Sequence, residues 1–221
     1  SFQPSPKVLV VYSGPTEVRG NATELELHQF EGGRIGYHKN ELYHVNFVHF
    51  LNYGIQCATQ DTIIVVTPSV QQHYQEQIDE LHSTCWTHYQ TKVQMIVRNN
   101  TCFDLESVRR VTQDTIDSTT TNGVLTEDEL TSYDYFIFVN CGTSGPSAQW
   151  AQVPWTKILW EPMQHNPTIK MTGLTMNCPT MSYVIVGVLV FYSPNQSFFS
   201  FLVSLFGTPH HILSLSLSCY Q

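Results

Sequence analysis

The chain opens with a polar hexapeptide and then a continuous apolar run, residues 7–12 (KVLVVY), closed by Ser13-Gly14-Pro15. A valine-rich run of that length, bounded by turn residues, predicts a strand buried on both faces. Residues 62–66 (TIIVV), 92–97 (KVQMIV) and 133–139 (YDYFIFV) predict three more strands, and 169–177 (IKMTGLTMN) a fifth strand or strand pair. Between these runs the period changes. From Asn40 to Leu51, Leu42, Val45 and His49 recur at helical spacing beside Phe47 and Phe50, and Gly54 sits where a C-terminal cap belongs. Pro68-Ser69 opens a second helix, about 70–83, with Val70, Tyr74, Ile78 and Leu81 on one face. Residues 104–117 (DLESVRRVTQDTID) form a third, with Asp104 placed to cap free N–H groups. Residues 14–38, with Gly32-Gly33 among them, and the Thr-rich stretch before Tyr133 read as loops.

Strands alternating with helices at this spacing imply βαβ units: an α/β fold with a mainly parallel sheet flanked by helices. Ligands of such sheets bind beyond the carboxyl ends of the strands. The segments that matter are therefore 12–15, 67–69, 98–104 and 140–146. One full-sized core, and one domain, is the expectation for 221 residues with 42% apolar positions.

Charge narrows the choice of partner. The net charge is −8, and the longest Lys/Arg cluster is the pair Arg109-Arg110. Nucleic acid is excluded as a main partner, because binding phosphate backbones needs a basic surface. A nucleotide is not excluded, since a few backbone N–H groups and one or two cations hold a diphosphate. The six cysteines, at 57, 85, 102, 141, 178 and 219, contain no CxxC pair, so zinc is not expected, while one or two disulfides are. No GxGxxG follows the first strand, which argues against a dinucleotide enzyme. His44 and His49 share a helix at a separation of five, which does not bring them to one face for a metal.

Two motifs sit at strand ends. Arg98-Asn99-x-x-x-Asp104 follows the third strand. Arg98 and Asn99 would orient sugar or phosphate oxygens, and Asp104 would accept hydrogen bonds from ribose or sugar hydroxyls. The plain alternative makes Asp104 an N-cap and Arg98 a solvated surface residue. The second motif, YDYFIFVNCGTSGP over 133–146, stops at Asn140 and turns through Gly142 and Gly145-Pro146, placing Asn140 at the open end of the sheet. Trp150, Trp155 and Trp160 follow at a spacing of five, suited either to stacking on an acceptor sugar or to core packing.

In order, these pieces resemble something specific: a helix bearing Tyr43, Asn46, Phe47, Phe50, Leu51, Tyr53, Gly54 and Ile55, then R-N-x-x-x-D, then Y-D-Y-F-I-F-V-N-x-x-x-x-G-P, then I-K-M-T-G-L-T-M-N-C. The chain is similar, over residues 7–178, to a group of glycosyltransferase-like proteins of the GT-A type from algae, protists and bacteria. That group is distantly related to rhamnan-synthesis and family-2 glycosyltransferases. The resemblance implies a nucleotide-sugar-binding domain that transfers a hexose to a glycan acceptor. Arg98, Asn99, Asp104, Asn140 and Gly145 would bind the donor, and manganese or magnesium would lie beside the diphosphate; no catalytic residue is assigned. Relatives read R-x-N-x-G-x-D and F-L-N-D-S-x-x-G-P. Here Cys102-Phe103 replaces the small residue before the acid, and Cys141 and Gly142 stand in place of Asp and Ser. Asn140 is then the remaining metal donor at the strand end. A degenerate, non-catalytic carbohydrate- or nucleotide-binding module is the alternative function.

Sequons at Asn21, Asn99 and Asn195 permit N-glycosylation and point to the secretory pathway, with the Golgi lumen as the expected location. The chain begins at Ser1 and is expected to be a fragment, with membrane attachment only through an N-terminal anchor outside it. The domain is expected to span 1–180 and to be incomplete at its C-terminus. All 28 charged residues lie at or before Lys170. Residues 181–206 are apolar, but Pro194-Asn195-Gln196 cut them into pieces too short for a membrane helix of roughly 20 residues. A pair of buried strands is one account of 181–221. The preferred account is foreign sequence, a translated intron, because the last residues read as a pyrimidine-rich tract ending in CAG.

Overall fold

A computed structural model describes residues 5–18, 39–98, 107, 110–111, 125–142, 154–166, 168–169, 171–176 and 185–192. Its centre is a six-stranded sheet of order β3-β2-β1-β4-β6-β5. The strands are β1 (Val8–Ser13), β2 (Asp61–Val66), β3 (Val93–Val97), β4 (Tyr135–Asn140), β5 (Met171–Met176) and β6 (Ile185–Tyr192). The first four are mutually parallel; β6 runs antiparallel to both β4 and β5. The helices are α1 (Lys39–His49), α2 (Pro68–Tyr89), α3 (Glu127–Thr131) and α4 (Trp155–His165). Ser107, Arg110 and Val111 are also helical, within a segment otherwise outside the described residues. The protein is thus an α/β protein with flanking helices, as the alternation of runs implied.

The pleat divides the core in two. Val8, Val10 and Tyr12 join Ile64, Val66, Ile137 and Val139 on the face covered by α1, α2 and α4. Leu9 and Val11 join Ile63, Val65, Ile96 and Phe136 on the face covered by Val111, Leu125 and Leu130. Successive side chains point to opposite faces and both faces are buried, which is why β1 is apolar at every position from Val8 to Tyr12. Tyr12 stacks on Phe50, with ring centroids 4.0 Å apart.

Two helices, α3 and α4, lie where the sequence predicted none, and three further elements differ from the sequence expectation. Beyond His49, α1 continues as a π turn, Phe50–Gly54, and the capping position falls to Ile55. Gly54 therefore ends the helix from inside rather than capping it: a Cβ there would strike the Phe50 ring. α2 runs to Tyr89 and closes on Gln90, whose φ of 59° is left-handed. A disulfide from Cys85 to Cys57 ties its last turns to the loop after the π turn. Finally, residues 185–192 lie beyond the boundary expected at 180, yet they form β6 between β4 and β5. The sheet crosses that boundary; residues 193–221 lie outside the described residues.

Candidate functional site

The connections decide where a crevice opens. From β1 the chain passes through α1 to β2 and through α2 to β3, with both helices on one face. From β3 it passes to β4 across the other face, where Val111 and Leu130 pack. β2 and β4 therefore lie on opposite sides of β1, and the strand order reverses between β1 and β4. Such a reversal leaves a crevice outside the carboxyl ends of the two strands, the usual ligand position in open α/β sheets.

The floor of this crevice is tightly fixed. Ser13 is in register with Asn140, and Cys141 N donates to Ser13 O at 3.0 Å, extending the ladder by one bond. Gly14 N donates to Val65 O at 2.8 Å. A Cβ on Gly14 would lie 2.6 Å from Val66 Cγ1, so a glycine directly after β1 lets the chain pass close to the end of β2. Ser13 Oγ and Ser107 Oγ are 2.8 Å apart and buried, pinning β1 to the helical segment after β3. From α1, Asn46 Nδ2 donates to Cys141 O at 2.8 Å. Nearby, His44 Nε2 and Tyr74 Oη are 2.5 Å apart and join α1 to α2; burial raises the Tyr74 hydroxyl pKa above its ordinary value.

Arg98 directly follows β3 and is fully buried. Its backbone N–H donates to Val66 O at 2.8 Å, and its Nη2 donates to Gly14 O at 3.3 Å. The surface alternative for Arg98 is thereby overturned, since the guanidinium lies beneath the end of β1. Asn140 sits at the rim, and its Oδ1 accepts from Gly142 N at 3.1 Å. The oxygen expected to face a cation thus already closes a local turn. Cys141 is buried and is not in a disulfide. Arg98 follows β3 and Asn140 ends β4, so both lie at the carboxyl ends of strands; Asn99, Asp104 and Gly145 lie outside the described residues.

The tryptophans go elsewhere. Trp155 is buried in the core and donates its indole N–H to Gly54 O at 2.9 Å. Trp160 stacks on Tyr135 at the start of β4, 5.5 Å between centroids. Both therefore lie toward the amino ends of the strands, and Trp150 is outside the described residues. Glu161 pairs with Lys157 at 3.5 Å on the exposed side of α4. His44 meets Tyr74 while the His49 ring lies tilted against Tyr53, 4.8 Å between centroids, so the two histidines of α1 serve different neighbours. Among the described residues, no three His, Cys, Asp or Glu side chains come together as a metal group, and no helix is long and apolar enough to cross a membrane.

Sequence reasoning missed Ser13, Ser107, Asn46 and the His44–Tyr74 pair. Ser13 was readable as the last residue of a buried run, but its partner lies 94 positions away, and nothing local marks such a pairing. The fold and site define an α/β protein with a crevice at a strand-order reversal. Comparison with protein-family models and with curated proteins found no match.

Proposed function

We propose that the chain is a glycosyltransferase-like domain of the GT-A type, binding a nucleotide-diphosphate sugar in the crevice outside β1 and β4 and passing the sugar to a glycan acceptor. The observation that carries this reading is the reversal of strand order between β1 and β4, with Arg98 and Asn140 at its edge. Transfer is a displacement at the anomeric carbon, in which charge develops on the departing diphosphate. Fixed donors and cations preorganised around that position stabilise it. Arg98 supplies a permanent cation held in a low-dielectric floor, where its field is least screened. Asn99, Asp104 and Gly145 complete the donor site in this proposal. The Cys57–Cys85 disulfide supports the secretory lumen as the location, because such bonds persist in oxidising compartments.

Manganese and magnesium prefer several oxygen ligands, usually including a carboxylate. The described end of β4 offers one amide oxygen, already accepting from Gly142, and a buried thiol. These residues do not fit a hard cation, and no step is assigned to one. The same observation favours a second reading, a non-catalytic module that keeps the pocket and binds donor without turnover. Cys141, standing where relatives carry an acid, is its specific support.

A thermal-shift screen of the full chain against UDP-, GDP- and CMP-sugars, with and without manganese, tests the proposal. A donor at about 100 times its Kd stabilises by about 2.7 kcal/mol, or about 6 °C for a chain of this size. Stabilisation by one nucleotide class, together with sugar release, supports the transferase; stabilisation without turnover supports the module. A folded chain that responds to none of them removes both.

A further inference from the structure

A cavity lies at the end of the sheet where the strands begin, opposite the reversal of strand order. Its volume is about 440 Å³, and its wall includes Lys7, Gln60, Asp61, Thr156, Lys157 and Trp160. That volume falls in the range of small-molecule sites, roughly 300–1,000 Å³. It is separated from the crevice by the length of β1, six residues or about 20 Å.

Most of the charge on this wall is committed within the fold. Lys7 Nζ donates to Ser132 Oγ at 2.9 Å and lies 4.4 Å from the centre of the Tyr133 ring. Asp61 accepts from Lys92 N at 2.7 Å and from the Tyr133 hydroxyl at 2.6 Å. Lys157 reaches Glu161. Two neutral groups are left over. Gln60, 2% exposed, donates through Nε2 to Gly54 O and Thr62 Oγ1, but its Oε1 has no partner among the described residues. Thr156, 1% exposed in the first turn of α4, has none for Oγ1. Buried polar groups without partners are uncommon and unfavourable.

The chemistry of these two groups selects among ligands. An amide oxygen needs a donor, and an ionised phosphate or sulfate brings chiefly acceptors. A hydroxyl serves both Gln60 Oε1 and Thr156 Oγ1. The Trp160 indole on the same wall, backed by Tyr135, is a fixed apolar plane suited to the C–H face of a ring. We propose that this cavity binds a neutral polyhydroxylated ring, a pyranose sugar, packed on Trp160 and hydrogen-bonded through its hydroxyls to Gln60 and Thr156. It would anchor a glycan at a point remote from the crevice, and it does not require that the crevice bind a donor.

The test is NMR titration of the full chain with methyl glycosides of glucose, galactose and mannose, with inorganic phosphate as the comparison. Saturable shifts of the Trp160 indole N–H and of residues 58–61 and 154–160 are expected for at least one glycoside, with a Kd on the order of 1–10 mM and no competition from UDP. Trp160→Ala should weaken binding at least about tenfold. Thr156→Ala, a milder change should Trp160→Ala fail to fold, should weaken it about fivefold. The proposal is overturned if no glycoside shifts these signals, if both variants bind as the parent does, or if phosphate alone produces the shifts, which would mark an anion site at the start of α4.

Discussion

Reducing the Cys57–Cys85 disulfide gives the most direct quantitative test of how the fold is held. The bond closes a loop with a sequence separation of 28 and joins the segment after the π turn to the last turns of α2. Loop-closure entropy predicts about −2.1 − 1.5R ln 28 cal/mol/K, or about 12 cal/mol/K lost from the unfolded chain, equal to about 3.6 kcal/mol at 25 °C. At about 2.1 cal/mol/K of unfolding entropy per residue, 221 residues turn this into a fall in Tm of about 8 °C. Reduction is a better perturbation than substitution, because Cys85 is fully buried and truncating it would add a cavity to the effect. Paired urea melts with and without a phosphine reductant should show a lower midpoint with a larger m-value, since the reduced chain unfolds to a more expanded state. Peptide mapping must show the 57–85 linkage in the oxidised sample. An intact linkage whose reduction changes the unfolding free energy by less than about 1 kcal/mol would refute the entropy argument.

Other outcomes follow from single side chains. Tyr133→Phe removes the hydroxyl that donates to Asp61 at 2.6 Å and should cost about 2 kcal/mol in urea unfolding; an unchanged midpoint would contradict the assignment. That phenol is held far above its ordinary pKa, first by burial and then by the Asp61 carboxylate, so no Tyr133 phenolate should appear in a spectroscopic titration until the protein unfolds. Glu129 closes the capping box of α3, and its pKa is lowered by the Thr126 backbone N–H and then by Lys92. A depressed folded value means that its contribution is full above the ordinary pKa of 4.5 and is lost as pH falls through the lower folded value. Glu129→Gln should flatten that acid limb, and an identical pH profile would refute it. Cys141→Asp puts a carboxylate at a site only 6% exposed and should destabilise by on the order of 3 kcal/mol without metal. Recovery of Tm on adding manganese would show that the end of β4 can still be rebuilt as a cation site; no recovery would count against a GT-A ancestry for that turn.

The parallel half of the sheet was legible because its signal is continuous: β1 to β4 are runs of Val, Ile and Phe whose two faces are both covered. α1 was legible from its period, yet its end was not, because the π turn depends on the Phe50 ring folding over Gly54. α4 escaped notice since Pro162 lies inside it and its tryptophans drew attention as a stacking pattern. β6 lies in a stretch for which a pair of buried strands was one account, but not the preferred one. A strand paired on both edges needs no charge there, and that same lack of charge suggested foreign sequence. The pattern of runs placed Arg98 and Asn140 at strand ends, where β3 and β4 do end. Whether Arg98 faces water was not legible, because the end of β1 that covers it is 84 positions away.

The position of β6 also sets an order of assembly. β5 makes no ladder with β4; it joins the sheet only through β6. As the chain leaves the ribosome, β1 to β4 can pair on their own, but β5 must wait, already synthesised, until residues 185–192 arrive and slide between it and β4. During that interval the outer edge of β4 presents a row of open N–H and C=O groups, the kind of edge that recruits strands from other molecules. Any product halted near residue 180 would be caught in that state. Its solubility, more than its activity, would then report whether the last strand is indispensable.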